Sequence, residues 1–291
     1  MKRTGIATLS AQVIAFSVVV LAGISPQAAT NKCGAICTES WNLAGSPYIV
    51  TCDTTLGFGC TLTIDAGVEV RFQASTDLTI EGTLDVNGSS GSPVLFTSDS
   101  LTPAPGDWDY VDLRSNGNAT FDFATLEYAD RGIYMLNNSV ATLNDVTSRL
   151  NNWGLWADTT PTLTMNNVTV EQSTFDGLRV ARASISGIGN SFVNNNRYGI
   201  QVGTMNASDS ISLRDGEIAS NGSLGLYTTG GIDVERFFLD LRDNWWGTTD
   251  PVAIGAAIRD HADHIAFAVV DRCGYLDAPG GVPVVDAHCP I

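Results

Sequence analysis

A glycine followed by an aliphatic residue recurs through the middle of the chain, at Gly132-Ile133, Gly154-Leu155, Gly177-Leu178, Gly199-Ile200 and Gly225-Leu226. The steps are 22, 23, 22 and 26 residues. Counting back 22 residues from Gly132 reaches Tyr110-Val111, and counting forward 22 from Gly225 reaches Gly247. A fixed period of this size means that one supersecondary unit stacks on the next, each burying a face that it cannot bury alone.

Alternation within the unit specifies strands. The residue after each marker is Val111, Ile133, Leu155, Leu178, Ile200 or Leu226, and two positions on stand Leu113, Met135, Ala157, Val180, Val202 and Thr228. Successive side chains of a strand point to opposite sides, so both columns face inward. A second strand reads the same way around Leu143, Leu163, Ile185 and Ile211, and a third near Val146, Val168, Phe192 and Ile218. Three short strands and three bends in 22 residues make one rung of a parallel β-helix. Asn152, Asn195, Asn221 and Asn244 stand before the markers, where a residue that tolerates left-handed backbone and can ladder its amide between rungs is suitable.

Looser alternation with Gly67, Gly82 and Gly88 extends this pattern back to Leu62. Residues 62–247 therefore predict about eight rungs, ~4.8 Å apart. Residues 30–61 and 248–291 are expected to cap the exposed strand edges at the two ends. Asp250 can N-cap a short helix that starts at Pro251 and runs through Ile254 and Ile258 over the last rung.

The first residues read as an export signal: Lys2 and Arg3, an apolar run over 13–21 broken only by Ser17, then Pro26 and small residues, with cleavage near residue 29. The expected location is secreted, periplasmic or cell-surface, with no membrane insertion. Six cysteines in an exported chain suggest disulfides. Nearest-neighbour pairing, Cys33 with Cys37, Cys52 with Cys60 and Cys273 with Cys289, is the simplest of several connectivities. The formal charge is −16, and Lys32 is the only lysine after the signal. A surface this acidic repels phosphate backbones, which argues against a nucleic-acid partner.

The run Leu62-Thr-Ile-Asp-Ala-Gly-Val-Glu-Val-Arg-Phe72, the segments Leu78 to Leu84 and Pro93 to Asp99, Gly106-Asp-Trp108, and the closing Asn244-Trp-Trp-Gly-Thr248 resemble bacterial secreted right-handed β-helix repeat proteins of the pectate-lyase-like superfamily. The resemblance implies an all-β, single-stranded right-handed parallel β-helix with stapled caps. It does not fix function, because this fold hosts lyases, hydrolases, adhesins and inert surface modules. In the superfamily's lyases it implies an Arg or Lys beside a calcium held by carboxylates. Calcium is thus the one cofactor worth testing.

Between the inward columns lies an outward one: Asp112, Tyr134, Trp156, Arg179, Gln201 and Tyr227, with Trp153 and Tyr198 at the adjoining bend. Aromatic faces stack on the apolar side of pyranose rings, polar neighbours bond the hydroxyls, and arginine forks onto a uronate carboxylate. The plainer alternative is that the rings stack on one another for stability. Arg179 or Arg182 with Asp158, Asp176 or Asp112 are the catalytic candidates, but they match no family motif, and the chain has no Asp-Asp pair. His261, His264 and His288 all fall near the C-terminus, so no histidine base can serve a rung serine, and no metal site is assigned. Three readings remain: a polysaccharide binder without catalysis, a polysaccharide lyase or glycoside hydrolase using the same face, and a structural surface module.

Overall fold

The computed structural model describes residues 28–229 and 237–284. The expected signal up to residue 27, and Cys289 and His288, lie outside the described residues. Every strand pairing between named strands is parallel, and each turn of the chain crosses three faces in the same order. One face, which we call the threonine face, is a ten-stranded sheet running from Glu39–Trp41 through Val140–Asn144 and Thr162–Asn166 to Val269–Asp271; its outward residues are mostly threonine, serine, asparagine and aspartate. A short face follows, built of strands such as Thr147–Arg149 and Ser191–Val193. The third, which we call the aromatic face, contains Trp108–Leu113, Ala129–Met135, Trp153–Asp158, Leu178–Ala181, Tyr198–Val202, Leu224–Thr228 and Ile258–Arg259. The short and aromatic faces join as one 17-stranded sheet because Thr30–Ile36 and Tyr48–Leu56 each run across both.

The stack is a parallel β-solenoid of about nine turns, slightly more than the sequence suggests. The difference arises at the ends. Residues 30–61 and 258–271 carry strands that pair in register with the neighbouring turns. The helix Pro251–Ala256 is N-capped as expected, the Asp250 carboxylate accepting from the Val252 N–H at 3.0 Å. It is shorter than expected: Ile258 opens a strand on the aromatic face, so the helix is an insert within a turn.

The first inward column is as expected, Val111, Ile133, Leu155, Leu178, Ile200 and Leu226 lying directly above one another with almost no exposure. The columns of the second and third strands keep Leu163, Ile185 and Ile211, and Phe192 and Ile218, in register, but each slips by two residues at one step. Leu163 pairs with Ala141, while Leu143 pairs with Met165; likewise Phe192 pairs with Val170, not Val168. Both members of each pair face inward, and alternation alone cannot distinguish a register from one two residues away.

The corners explain the asparagines differently from expectation. A left-handed residue comes first, and an inward asparagine follows it: Leu150 (φ 53°) before Asn151, Asn194 (φ 56°) before Asn195, Ser220 (φ 56°) before Asn221. The Asn151 amide accepts from the Ala129 N–H and donates to the Leu126 carbonyl; Asn195 does the same for Ser173 and Val170 two turns further on. Asn151, rather than Asn152, makes these backbone bonds, while the Asn152 amide donates to the Asp130 carboxylate of the preceding turn at 3.0 Å; Asn244 serves the other corner, between the threonine and short faces, bonding Gly216 and Leu213.

Two disulfides join the first turn to the second, Cys33–Cys52 and Cys37–Cys60, with Cα atoms 4.9 and 4.8 Å apart. The nearest-neighbour expectation fails here because four residues of extended chain span ~13 Å, beyond disulfide reach, whereas residues one turn apart stack at rung spacing. Closing loops of this length contributes about 3 kcal/mol for a single bridge. The expected Cys273–Cys289 pair extends outside the described residues.

Candidate functional site

The outward column of the aromatic face is in continuous register: Thr79, Asp112, Tyr134, Trp156, Arg179, Gln201, Tyr227 and Arg259 pair strand to strand. Beside it runs a second row, Tyr110, Arg131 and Trp153, also in register. The rows interlock. Ring centroids lie 5.7 Å apart for Tyr110 and Tyr134, 5.6 Å for Tyr134 and Trp156, and 5.6 Å for Trp156 and Trp153. Trp153 continues onto Phe175 at 4.5 Å, and Tyr198 stacks flat on Tyr227 at 4.5 Å.

Arginines fill the gaps between these rings. The Arg131 guanidinium lies 4.5 Å from the Tyr134 ring and 4.4 Å from that of Trp156. Arg179 covers the other end of Trp156 at 4.2 Å. Arg259 sits over Tyr227 at 4.8 Å and donates to its hydroxyl at 3.0 Å. The result is a strip of half-buried rings alternating with cations, seven strands long or about 29 Å.

The catalytic candidates do not converge. Asp158 accepts from the Arg182 guanidinium at 2.8 Å, on an exposed bend at the far edge of the face. Asp176 is fully buried at the near corner, bidentate with Arg197 at 2.7 and 2.6 Å. Asp112 is also fully buried and pairs with Arg114. Burial raises its pKa to about 6 against the pull of Arg114, with Asp77 adding a smaller upward push. Its Oδ1 has no hydrogen-bond partner. Arg179 differs from these arginines: its contact is the Trp156 ring, and it has no carboxylate partner among the described residues.

The acidic end of the strip lies towards the N-terminus. Asp77 and Asp109 are both pushed above the usual carboxylate range, chiefly by burial and then by neighbouring carboxylates, Asp53 for both and Asp130 for Asp109. Among the described residues no group of three or more His, Cys, Asp and Glu side chains is arranged to hold a metal ion. No helix among them is long and apolar enough to cross a membrane.

Tyr110, Arg131, Phe175 and Arg259 belong to the strip but escape a reading based on the marker alone. Arg131 immediately precedes Gly132, as Trp153 precedes Gly154, and this was the available signal. Phe175 sits in the one-residue surplus of a 23-residue turn, and Arg259 in a turn interrupted by the helix.

Residues 34–133 match the family described as pectate-lyase like beta helix domain. The match takes in the first residues of the strip, Tyr110, Asp112 and Arg131, and the same parallel stacking continues beyond it; together they support a pectate-lyase-like β-helix repeat protein. No curated protein and no solved structure matches the chain. The fold supports a polysaccharide-related role, and with the two disulfides it is consistent with an extracellular location.

Proposed function

We propose that this protein binds polysaccharide along its aromatic face without cleaving it, at the cell surface or outside the cell. The observation that carries this reading is the registered column Tyr134, Trp156, Arg179, Gln201 and Tyr227, flanked by Trp153 and Tyr198. Rings spaced along a straight sheet suit the repeating apolar faces of a sugar chain, and Gln201 suits its hydroxyls. Arg179, without a carboxylate of its own, can fork onto a uronate. Binding is favoured over a lyase or hydrolase because Asp112, Asp158 and Asp176 are each engaged by a different arginine at a different edge of the face.

The test is electrophoresis of the protein through gels containing neutral or acidic polysaccharides, with and without calcium. The reading expects retardation in at least one gel, lost in Trp156→Ala while the variant's thermal unfolding remains cooperative. Unchanged mobility throughout the panel would overturn it in favour of a structural module. Ultraviolet-absorbing unsaturated ends released from the polymer would replace it with the lyase reading.

A further inference from the structure

One turn breaks the period. Thr83 and Asn118 are direct neighbours on the threonine face although 35 residues apart, whereas Asn118 and its next neighbour Val140 are 22 apart. Much of the surplus is a loop over residues 99–107, at the corner where the short face meets the aromatic face. In repeat proteins such insertions tend to lie on the binding side.

The loop is held in place. The Asp107 carboxylate accepts from the Ser98 hydroxyl at 2.8 Å and from the Ala104 N–H at 3.1 Å. The Gly106 N–H donates to the Tyr128 and Ala129 carbonyls at 3.1 Å. Beneath the loop, Gln73 and Asp99 follow one above the other, their N–H groups donating to Val50 and Phe72 of the preceding turns at 3.0 and 2.8 Å. Between loop and corner is an open cavity of about 450 Å³ lined by Thr51, Gln73, Ser98, Asp99, Ser100 and Asp107.

Its chemistry is narrow. The Gln73 amide and the Asp99 carboxylate have no hydrogen-bond partner among the described residues. Two carboxylates in the wall disfavour an anion. Residues of this wall do not form a metal-binding group. The acceptors of this wall suit a neutral ligand rich in hydroxyl donors. A carboxylate accepts from two adjacent hydroxyls, and an amide both donates and accepts. The volume falls in the range of small-molecule sites, about 300–1,000 Å³.

We infer that this cavity is a second carbohydrate site, taking one neutral pyranose residue such as a chain end or a branch. It shares no residue with the aromatic strip, so the two readings stand or fall separately. The test follows amide NMR shifts of the protein titrated with the methyl glycosides of glucose, galactose and mannose. Saturable shifts are expected at Gln73, Ala74 and Ser100 with at least one sugar. Asp99→Ala should weaken that binding about tenfold or more, the loss of hydrogen bonds to a charged acceptor. Gln73→Ala should weaken it too, and Trp156→Ala should leave it unchanged. Neither cavity side chain has a hydrogen bond among the described residues, and Arg71, which feels the Asp99 charge, keeps its ion pair with Glu69, so melting temperatures of the two variants should stay close to the parent. The inference is overturned if none of the sugars gives saturable shifts, or if binding survives both cavity substitutions.

Discussion

Gly177 lacks a side chain because its surroundings leave no room for one. A Cβ there would stand 2.7 Å from the Asn195 amide nitrogen and 2.7 Å from the Gly199 carbonyl oxygen. Gly199 faces the Asn221 amide at 2.6 Å in the same way. The marker glycine and the ladder asparagine are thus two halves of one corner. Gly177→Ala should cost about 1–3 kcal/mol of overpacking, read as a lower urea midpoint, and an unchanged midpoint would contradict this account of the repeat. Asp112 makes a prediction of another kind. Its pKa is near 6 in the folded protein, above the unfolded value of about 3.9, so the folded state holds this proton more tightly. The stabilisation is complete below the unfolded value and is lost as pH rises through about 6. The groups that face Asp112 are Arg114, Asp77, Arg131, Tyr110 and Tyr134. Chemical unfolding of the protein and of Asp112→Asn across this window should show the parent losing up to about 3 kcal/mol relative to the variant as pH rises. Parallel stability curves would contradict a raised carboxylate.

Among structural elements, the asparagine ladder is interrupted at Ser173. Its neighbours at the equivalent corners are Asn151 and Asn195, and its buried hydroxyl has no partner. Ser173→Asn should add an amide that bonds the turn on its N-terminal side, raising stability by about 1 kcal/mol in denaturant unfolding. A neutral or destabilising result would mean that the corner is too tight for the larger side chain. The aromatic face was legible because its glycines mark where each strand begins, which fixes its phase. The threonine and short faces carry no such mark, and their registers slip by two residues between Leu143 and Leu163 and between Val168 and Phe192, where alternation is blind. The corners were misread for a related reason. The left-handed position is occupied by residues as different as Leu150, Gln172 and Asn194, so residue type does not identify it. The disulfides depend on which cysteines stack across turns, which required the register of the first two turns.

At the scale of the whole molecule, the period alone specified a stacked parallel solenoid, but not where it ends. The first turn and the last ones vary too much in length for a count of 22 to find them. The column from Tyr134 to Tyr227 was legible because it follows from that same phase, one residue after the inward position. The pairing of Asp158 with Arg182 and of Asp176 with Arg197 was not, because each depends on how a bend directs its side chain. Charge is distributed unevenly on this acidic protein: Arg131, Arg179, Arg197 and Arg259 gather among the rings of one face, while Asp53, Asp77 and Asp109 lie towards its N-terminal end. A linear partner on that strip would contact successive turns at once. Hydrogen exchange measured with and without a polysaccharide that retards the protein tests this directly. The account predicts added protection confined to the strands Ala129–Met135, Trp153–Asp158, Leu178–Ala181, Tyr198–Val202 and Leu224–Thr228. Protection centred on the threonine face, or spread evenly over all three faces, would contradict it.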